Sequence, residues 1–155
     1  MYRTKQAAMQ GLVYMNFGTM DYEQFRDDKD VVMAAIKFQP SNFQYAGNSM
    51  KDDEEVCFLA IEGKQSNMFH VSNRLKNDKE FITRCMNNKD SLELSIGLFD
   101  MRDTGLVIKD DIDIFKRAIE IDPGNFKHCS DRLASDKEFV ILAVNKFGYN
   151  LYYAD

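Results

Sequence analysis

The sequence contains no tryptophan, only two prolines and no long run of apolar residues. A transmembrane helix needs roughly 18 or more consecutive apolar residues, so we expect no membrane-embedded segment and no membrane partner. Near the N-terminus, Gln6, Gln10 and Asn16 interrupt the apolar stretch that a secretory signal requires. The sequence therefore predicts a cytoplasmic protein, either of the cell that produces it or of a host cell.

Basic charge is also in short supply. The chain has 20 Lys and Arg residues against 25 Asp and Glu residues, which gives a formal net charge of −5. Proteins that bind the nucleic-acid backbone present a basic face to the phosphates, so direct nucleic-acid binding is not expected. The apolar fraction of 45% over 155 residues is that of a folded domain with its own core.

Histidine and cysteine, which are common in catalytic and metal sites, are scarce. The chain has only His70 and His128, and its three cysteines, Cys57, Cys85 and Cys129, include no CxxC pair. This pattern fits neither a disulfide framework nor a zinc site. Phosphate-binding glycine loops, calcium loops and nucleophile-elbow motifs are missing as well. We therefore predict that the protein is not an enzyme and uses neither a metal nor another cofactor.

The sequence does contain a fivefold repeat. An aspartate, followed two residues later by a second acid, introduces the same short apolar pattern at Asp28, Asp53, Asp78, Asp111 and Asp136. Consecutive copies are 25 residues apart, except for a spacing of 33 between the third and the fourth. Self-similarity at such a period is the signature of a repeat protein. Positions within a copy are counted below from the leading aspartate, which is position 0.

Each copy predicts an α-helix that begins at its leading aspartate. Apolar residues recur at positions 3, 4, 7 and 8, which is the spacing of one helix face. The aspartate is a good N-cap, because its carboxylate accepts hydrogen bonds from the amides of the first turn. The helix dipole favours the second acid. Position 7 is always Ala or Cys, which indicates that another helix crosses closely there.

A second, shorter helix is predicted to begin at position 14, which four copies fill with asparagine: Asn42, Asn67, Asn125 and Asn150. Asparagine is a plausible helix cap, and apolar residues follow at positions 15, 18 and 22. Each copy is therefore predicted to be a helical hairpin, which buries its apolar face only by stacking on its neighbours.

We therefore predict an all-α protein of about five tandem 25-residue helical-hairpin repeats, stacked as a short α-solenoid-like array. Residues 1–25 are expected to form a degenerate N-terminal capping repeat. Residues 26–155 would form the repeat array, with an insertion near 100–108 that accounts for the longer spacing. The fifth copy reaches Asp155 within its second helix, so it either ends the array or belongs to a longer protein.

Some residues are not explained by the repeat itself. Acids beside the helix caps would line one edge of the stacked repeats, and the insertion would form a loop. The binding residues predicted on this acidic edge and insertion loop are Asp27, Asp30, Asp52, Glu54, Arg102, Asp103 and Asp110. Solvated helix caps are the alternative explanation for the acids. Six aromatic residues also lie outside the repeating core positions: Tyr14, Tyr22, Phe38, Phe147, Tyr149 and Tyr152. They would pack between the repeats or cap the ends of the array, and several of them exposed together would anchor a protein partner.

Parts of the sequence resemble a known family. The phrases LKNDKEF (75–81), LASDKEFVILAV (133–144) and NLYYA (150–154) are similar to the tandem helical repeats known as domain of unknown function 4116. The resemblance covers roughly residues 23–155. Such repeats occur in bacterial effectors delivered into host cells and in proteins of viruses and protists, and no enzymatic activity is attached to them. The resemblance implies an interaction scaffold without catalytic residues.

These observations together predict a non-enzymatic protein–protein interaction module, a small cytosolic effector or inhibitor that binds and modulates a target protein. One alternative is an acidic inhibitor, encoded by a phage or mobile element, of a nucleic-acid-handling defence complex, in the manner of an anti-CRISPR protein. The other is a self-assembling structural protein, a homo-oligomer in which the last copy joins another chain.

Overall fold

The structure is a computed structural model that describes residues 4–6, 20–88 and 99–154. Every regular element in these ranges is helical, and the elements recur in the order that the repeat predicts. The prediction of an all-α array of helical repeats is therefore confirmed. The chain divides into two compact units, Met1–Leu75 and Lys76–Asp155.

The first unit alternates α-helices with six-residue 3-10 helices. Its elements are η1 (Met20–Phe25), α1 (Lys29–Phe38), η2 (Pro40–Tyr45), α2 (Asn48–Lys51), α3 (Glu54–Gly63) and η3 (Gln65–His70). Helix α4 (Asn73–Lys76) lies at the boundary between the units.

The elements of the second unit are α5 (Lys79–Met86), α6 (Leu106–Lys109), α7 (Ile112–Ile121), η4 (Pro123–His128), α8 (Asp131–Ala134), α9 (Lys137–Lys146) and η5 (Gly148–Tyr153). This unit has the same order of elements from α7 onward, but no 3-10 helix is found between α5 and α6 among the described residues.

The long helices begin where the sequence predicts. Asp28 accepts hydrogen bonds from the backbone N–H groups of Asp30 and Val31, and Asp53 and Asp111 cap their helices in the same way. Asp78 and Asp136 each accept one bond, from the N–H group at position 3. Helix α1 ends at Phe38, and the next residue, Gln39 at position 11, has extended backbone angles of φ −150° and ψ 109°. The following residue is Pro40, which disfavours a helical conformation in the residue before it.

The second half of each repeat differs from the predicted single helix. Positions 12–17 form a 3-10 helix, and positions 20–23 form a separate four-residue α-helix. The asparagine at position 14 lies in the middle of the 3-10 helix and is buried, so its predicted role as a helix cap is wrong. Its side chain is used instead for tertiary hydrogen bonds, which hold the 3-10 helix against the long helix of the same repeat.

Buried asparagines connect these elements. The Asn67 amide donates to the Ala60 carbonyl at 2.8 Å within its own repeat and to the Pro40 carbonyl at 2.9 Å in the preceding repeat. Asn150 makes the matching pair of bonds, to Ala143 and Pro123, at 3.0 Å each. The alanine at position 7 has no bulky side chain, so the amide can reach a carbonyl that already accepts the helix-ending backbone bond. The alanine at position 7 thus leaves room for the asparagine side chain beside the helix backbone.

Within each unit, equivalent elements of successive repeats pack on each other. Helix α1 packs on α3 and η2 on η3, while α7 packs on α9 and η4 on η5. The apolar residues at positions 3, 4, 7 and 15 fill the space between them. Most are at most 1% exposed, including Val31, Val32, Ala35, Phe43, Phe115, Ala118 and Phe126. The apolar face predicted from the sequence is therefore the core.

The four-residue helices are joined by backbone hydrogen bonds. The N–H group at position 19 donates to the carbonyl of the residue two places before the leading aspartate. This occurs from Gly47 to Arg26 at 2.8 Å, and from Ser130 to Lys109 at 2.8 Å. Because these bonds use only backbone atoms, the short helices stay in register whatever side chains they carry.

The predicted domain boundaries concern residues that lie largely outside the described ranges. The capping repeat predicted for 1–25 is described only at 4–6 and 20–25. The insertion predicted near 100–108 follows ten residues, 89–98, that are also outside them, so its limits stay a prediction. Met101 is fully buried and α6 corresponds to the four-residue helix of the other repeats, so these residues of the predicted insertion occupy regular repeat positions.

Candidate functional site

Three acids of the predicted acidic edge lie where one four-residue helix meets the next. Asp52 accepts hydrogen bonds from the Ser72 hydroxyl and from Arg74 Nε, the latter at 3.0 Å. Asp110 does the same with Ser130 Oγ at 2.5 Å and Arg132 Nε at 2.9 Å. Asp27 likewise accepts from the Ser49 hydroxyl. These carboxylates therefore have structural partners about 20 residues further along the chain.

The remaining predicted residues also make local ion pairs or lie half-buried. Asp30 pairs with Lys5 at 2.5 Å, and Glu54 lies 4.0 Å from Arg74 Nη1. Arg102 is exposed and pairs with Asp100 at 3.1 Å, while Asp103 is half-buried. Asp27, Asp30, Asp52 and Glu54 belong to the first unit; Arg102, Asp103 and Asp110 belong to the second. Their role in binding stays a prediction.

The leading aspartates take part in a second set of ion pairs, which links successive repeats. Lys29, at position 1 of its repeat, contacts Asp53 and Glu55 of the next repeat, at 2.9 Å each. Lys79 pairs in the same way with Asp111. The lysine at position 1 therefore neutralises the helix cap of the repeat that follows. The sequence pattern places lysines beside the caps but does not show that they serve the next copy.

Hydrogen bonds at these joints hold the carboxyl pKa values below the ordinary value of 3.8. The Ser72 hydroxyl and Arg74 lower the pKa of Asp52, and the hydroxyl of Ser130 with Arg132 lowers the pKa of Asp110. The carboxylates are therefore charged throughout the physiological pH range.

Acid should destabilise the fold through these groups. A carboxyl whose pKa is depressed on folding contributes stability that is complete above its unfolded pKa and is lost as the pH falls through its folded pKa. We expect the urea midpoint to be constant from pH 7 to about 5 and to fall below about pH 4. A variant with Asp52→Asn and Asp110→Asn should start from a lower midpoint and lose less of it. If the urea midpoint of that variant fell with acid as much as that of the wild type, these two carboxylates would not be the cause of the acid sensitivity.

The histidines and two of the three cysteines occupy structural positions. His70 and His128 are both half-buried at position 17; His70 packs edge-on against Phe43, with ring centroids 6.5 Å apart. Cys57 and Cys85 are buried. None of the three cysteines forms a disulfide, and among the described residues no group of His, Cys, Asp or Glu side chains could hold a metal ion.

Burial shifts the pKa of two of these side chains, Cys85 and His128. Burial raises the pKa of the Cys85 thiol to about 12, so the thiol is unreactive at neutral pH. Burial also lowers the pKa of His128, whose Nε2 lies 3.3 Å from Asp100. Cys129 is only half-buried, whereas the residues at the same position 18 of the first two repeats, Ala46 and Val71, are buried.

The most prominent apolar surface lies in the last repeat. We call it the C-terminal aromatic surface and define it by the exposed side chains Phe147, Tyr149, Leu151, Tyr152 and Tyr153. The rings of Tyr149 and Tyr152 are stacked at 5.7 Å, and that of Tyr153 meets both edge-on. Phe147 lies 6.1 Å from Tyr149. Of the aromatic residues named from the sequence, Phe147, Tyr149 and Tyr152 are therefore exposed in one connected cluster, whereas Phe38 is exposed in the first unit and Tyr14 lies outside the described residues.

Leu151 shows why this surface is exposed. It stands at position 15, which is occupied elsewhere by residues that are at most 1% exposed: Phe43, Met68, Met101 and Phe126. The register for Met101 includes the eight extra residues of the third repeat. Leu151 itself is 64% exposed. A residue type suited to the core is thus left in water, a fact that the sequence could not reveal because the residue itself is ordinary for its position.

The comparisons with known proteins agree with the repeat assignment. A family model described as "Domain of unknown function (DUF4116)" matches residues 28–69, 53–95 and 111–155. These three matches together cover more than half of the chain. No curated protein and no solved structure matches it. Among the described residues, every helix is too short or too polar to cross a lipid bilayer.

Proposed function

Since the chain belongs to the family described as domain of unknown function (DUF4116), a family of tandem repeats, we propose that it is a non-enzymatic protein-binding module. Helical repeat arrays commonly bind other proteins along an extended surface. In this chain the binding surface is the C-terminal aromatic surface. The observation that carries the proposal is the exposure of Leu151 and its aromatic neighbours in one cluster.

The composition of the surface suits a protein partner. Contiguous exposed apolar groups are uncommon on soluble monomers and mark interaction sites. Tyrosine is enriched among the residues that carry most of the energy of an interface, and its hydroxyl can form hydrogen bonds at the rim. Burial of one leucine side chain alone contributes roughly 1.5–3 kcal/mol. Tyr152, at 76% exposed, and Leu151 are the two most exposed members.

The acidic edge supports binding less well. An inhibitor that imitates nucleic-acid phosphates would need carboxylates that present unneutralised charge. Asp52 and Asp110 instead bind arginines of their own chain, and Asp53 binds Lys29. The pairing favours the aromatic surface as the binding site. We therefore propose that the protein acts as an inhibitor or effector through the C-terminal aromatic surface.

The cytoplasm is the compartment that we propose for this activity. Thiols stay reduced there, whereas small secreted proteins commonly rely on disulfides. Buried apolar residues and the hydrogen bonds of the buried asparagines stabilise the repeats. The buried cysteines serve as apolar packing residues. Such a chain has no need of an oxidising compartment.

Substitutions in the surface should abolish capture of a target. With the purified chain as bait in a host lysate, we expect Leu151→Asp to reduce the recovered target at least tenfold, because it places a charge in the contact. Tyr152→Ser should also reduce capture. Phe69→Ser is the matched control, since Phe69 is 64% exposed and occupies position 16, the same repeat position as Tyr152. Quantitative mass spectrometry of the bound fraction measures the difference.

Two results would count against the proposal. If Leu151→Asp and Phe69→Ser captured the target equally, the C-terminal aromatic surface would not be the binding site. If Asp52→Asn with Asp110→Asn abolished capture while leaving the fold intact by circular dichroism, the acidic edge would be the binding site instead.

A further inference from the structure

We propose that the partner presents a helical repeat of the same class, which packs on the C-terminal aromatic surface as successive repeats pack on each other within each unit. This inference rests on the proposed function and names the chemistry of the partner. It follows from the contacts that equivalent residues make inside the two units.

The apolar contact comes first. In the second unit, Phe126 at position 15 packs on Phe139, which is at position 3 of the next repeat, with ring centroids 5.6 Å apart. In the first unit, Phe43 at position 15 contacts His70 of the next repeat. In both cases the following repeat is what covers the residue. Leu151 is in the same register and has no such cover, so an apolar residue at position 3 of an incoming repeat would meet it.

The charge contact points to the same partner. Lys29 and Lys79 at position 1 pair with the leading aspartate of the next repeat. Lys137 is the matching lysine of the last repeat; it is exposed and makes no ion pair within the part of the chain that the structure describes. A leading aspartate on the incoming repeat supplies its counter-charge.

The third contact is an amide bond between repeats. Asn67 and Asn150 each donate to the carbonyl at position 12 of the preceding repeat. In the last repeat that position is Gly148, which is exposed. The expected partner segment therefore has an aspartate, an apolar residue three positions later and an asparagine fourteen positions later. The aspartate would meet Lys137, the apolar residue would meet Leu151, and the asparagine would meet the Gly148 carbonyl.

A second copy of this chain does not offer such a segment at its first repeat. Asp28 already pairs with Lys5 at 2.8 Å, and Val31 at position 3 is completely buried. The same groups would have to be uncovered before they could bind. The occupant is therefore a repeat whose leading aspartate and position-3 residue are uncovered, and not the first repeat of a second copy in this conformation.

The fit can be tested by adding a repeat to the intact chain. A copy of residues 48–72 is fused directly after Asp155. The copy of Asp53 then stands 25 residues after Asp136, which is the spacing of the repeat. A control fusion carries Asp53→Ser, Val56→Ser and Asn67→Ser in the added copy only. We expect hydrogen exchange of the amides at 149–153 to slow at least tenfold in the first fusion and not in the control.

A charge variant sharpens the test. In the chain with the intact added copy, Lys137→Glu should reverse part of the protection, whereas Lys146→Glu, an exposed lysine of the same helix, should not. Equal exchange in the two fusions would overturn the inference. A dimer of the wild-type chain that Leu151→Asp dissociates would also overturn it, because the occupant would then be a second copy.

The same experiments separate this inference from the proposed function. If a target is captured through Leu151 but its sequence lacks the aspartate, apolar and asparagine pattern, the binding function stands and the inference fails. If the added repeat protects 149–153 but target capture does not depend on Leu151, the proposed function fails. If the captured target has the pattern and the fusion no longer binds it, both are supported.

Discussion

Replacing Asn125 with alanine should lower the free energy of unfolding by about 3 kcal/mol, the upper end of the range for leaving a buried polar group without its partner. The Asn125 amide donates to the carbonyls of Phe99 at 2.6 Å and Ala118 at 3.2 Å, and its oxygen accepts from the Met101 N–H at 2.9 Å. Alanine removes all three bonds and leaves a small void. Urea unfolding followed by circular dichroism measures the loss.

The matched control is Asn145→Ala. Asn145 is exposed on α9, and exposed substitutions of this kind change stability by only about 0.5 kcal/mol or less. Asn125→Asp should be at least as harmful as Asn125→Ala at pH 7, because a carboxylate cannot donate to the two carbonyls and its charge would be buried. Equal stability of the Asn125→Ala and Asn145→Ala variants would show that the buried amide bonds contribute little to the fold.

Phe126→Ala should destabilise the protein by about 3–5 kcal/mol, the usual cost of truncating a buried phenylalanine. Leu151→Ala, at the same position of the last repeat, should cost only about 0.5 kcal/mol or less. The difference has one cause: Phe126 is fully buried against the following repeat, whereas Leu151 is mostly in water. Unfolding by urea with a common baseline measures both variants.

A buried residue of similar size provides the control for side-chain type. Met101→Ala removes an unbranched side chain at position 15 and should cost about 2–5 kcal/mol. If Leu151→Ala proved as destabilising as Met101→Ala, Leu151 would be covered in solution. The C-terminal aromatic surface would then not be available to a partner.

The long helices could be predicted from the sequence because their signals are local. The cap, the second acid and the apolar residues that define one helix all lie within about ten positions, so pattern and physics agree. Asp111, for example, caps α7 through the amides of Asp113 and Ile114, two and three residues away. The same locality explains why all five leading aspartates were assigned correctly.

The rest of each repeat could not be predicted because its determinants are distant in sequence. Asn67 is bound to Pro40, 27 residues earlier, and without that partner its side chain looks like an ordinary helix cap. The 3-10 helix therefore appeared as the start of an α-helix. The residue type shows only whether a position is buried on average. The hydrogen bonds of the buried asparagine depend on the distances between particular atoms, which the sequence does not contain.

The candidate site was anticipated in part. The sequence singled out Phe147, Tyr149 and Tyr152 because they fall outside the repeating core positions. It missed Leu151, which has the residue type that a core position requires. Exposure depends on what covers a residue, and covering is a property of the neighbouring repeat. The acids beside the caps were recognised, but their arginine partners lie 22 residues away and were not.

The joints at Gly47, Ser72 and Ser130 exist in two chemical versions. Where position 19 is Ser72 or Ser130, the hydroxyl binds the aspartate before the leading one. Where it is Gly47, the Asp27 carboxylate lies only 2.1 Å from the place where a Cβ atom would stand. A change from one version to the other thus requires the aspartate side chain to turn away as the new side chain arrives. The two residues form a coupled pair, and they should be exchanged between repeats together when new arrays are built from this one.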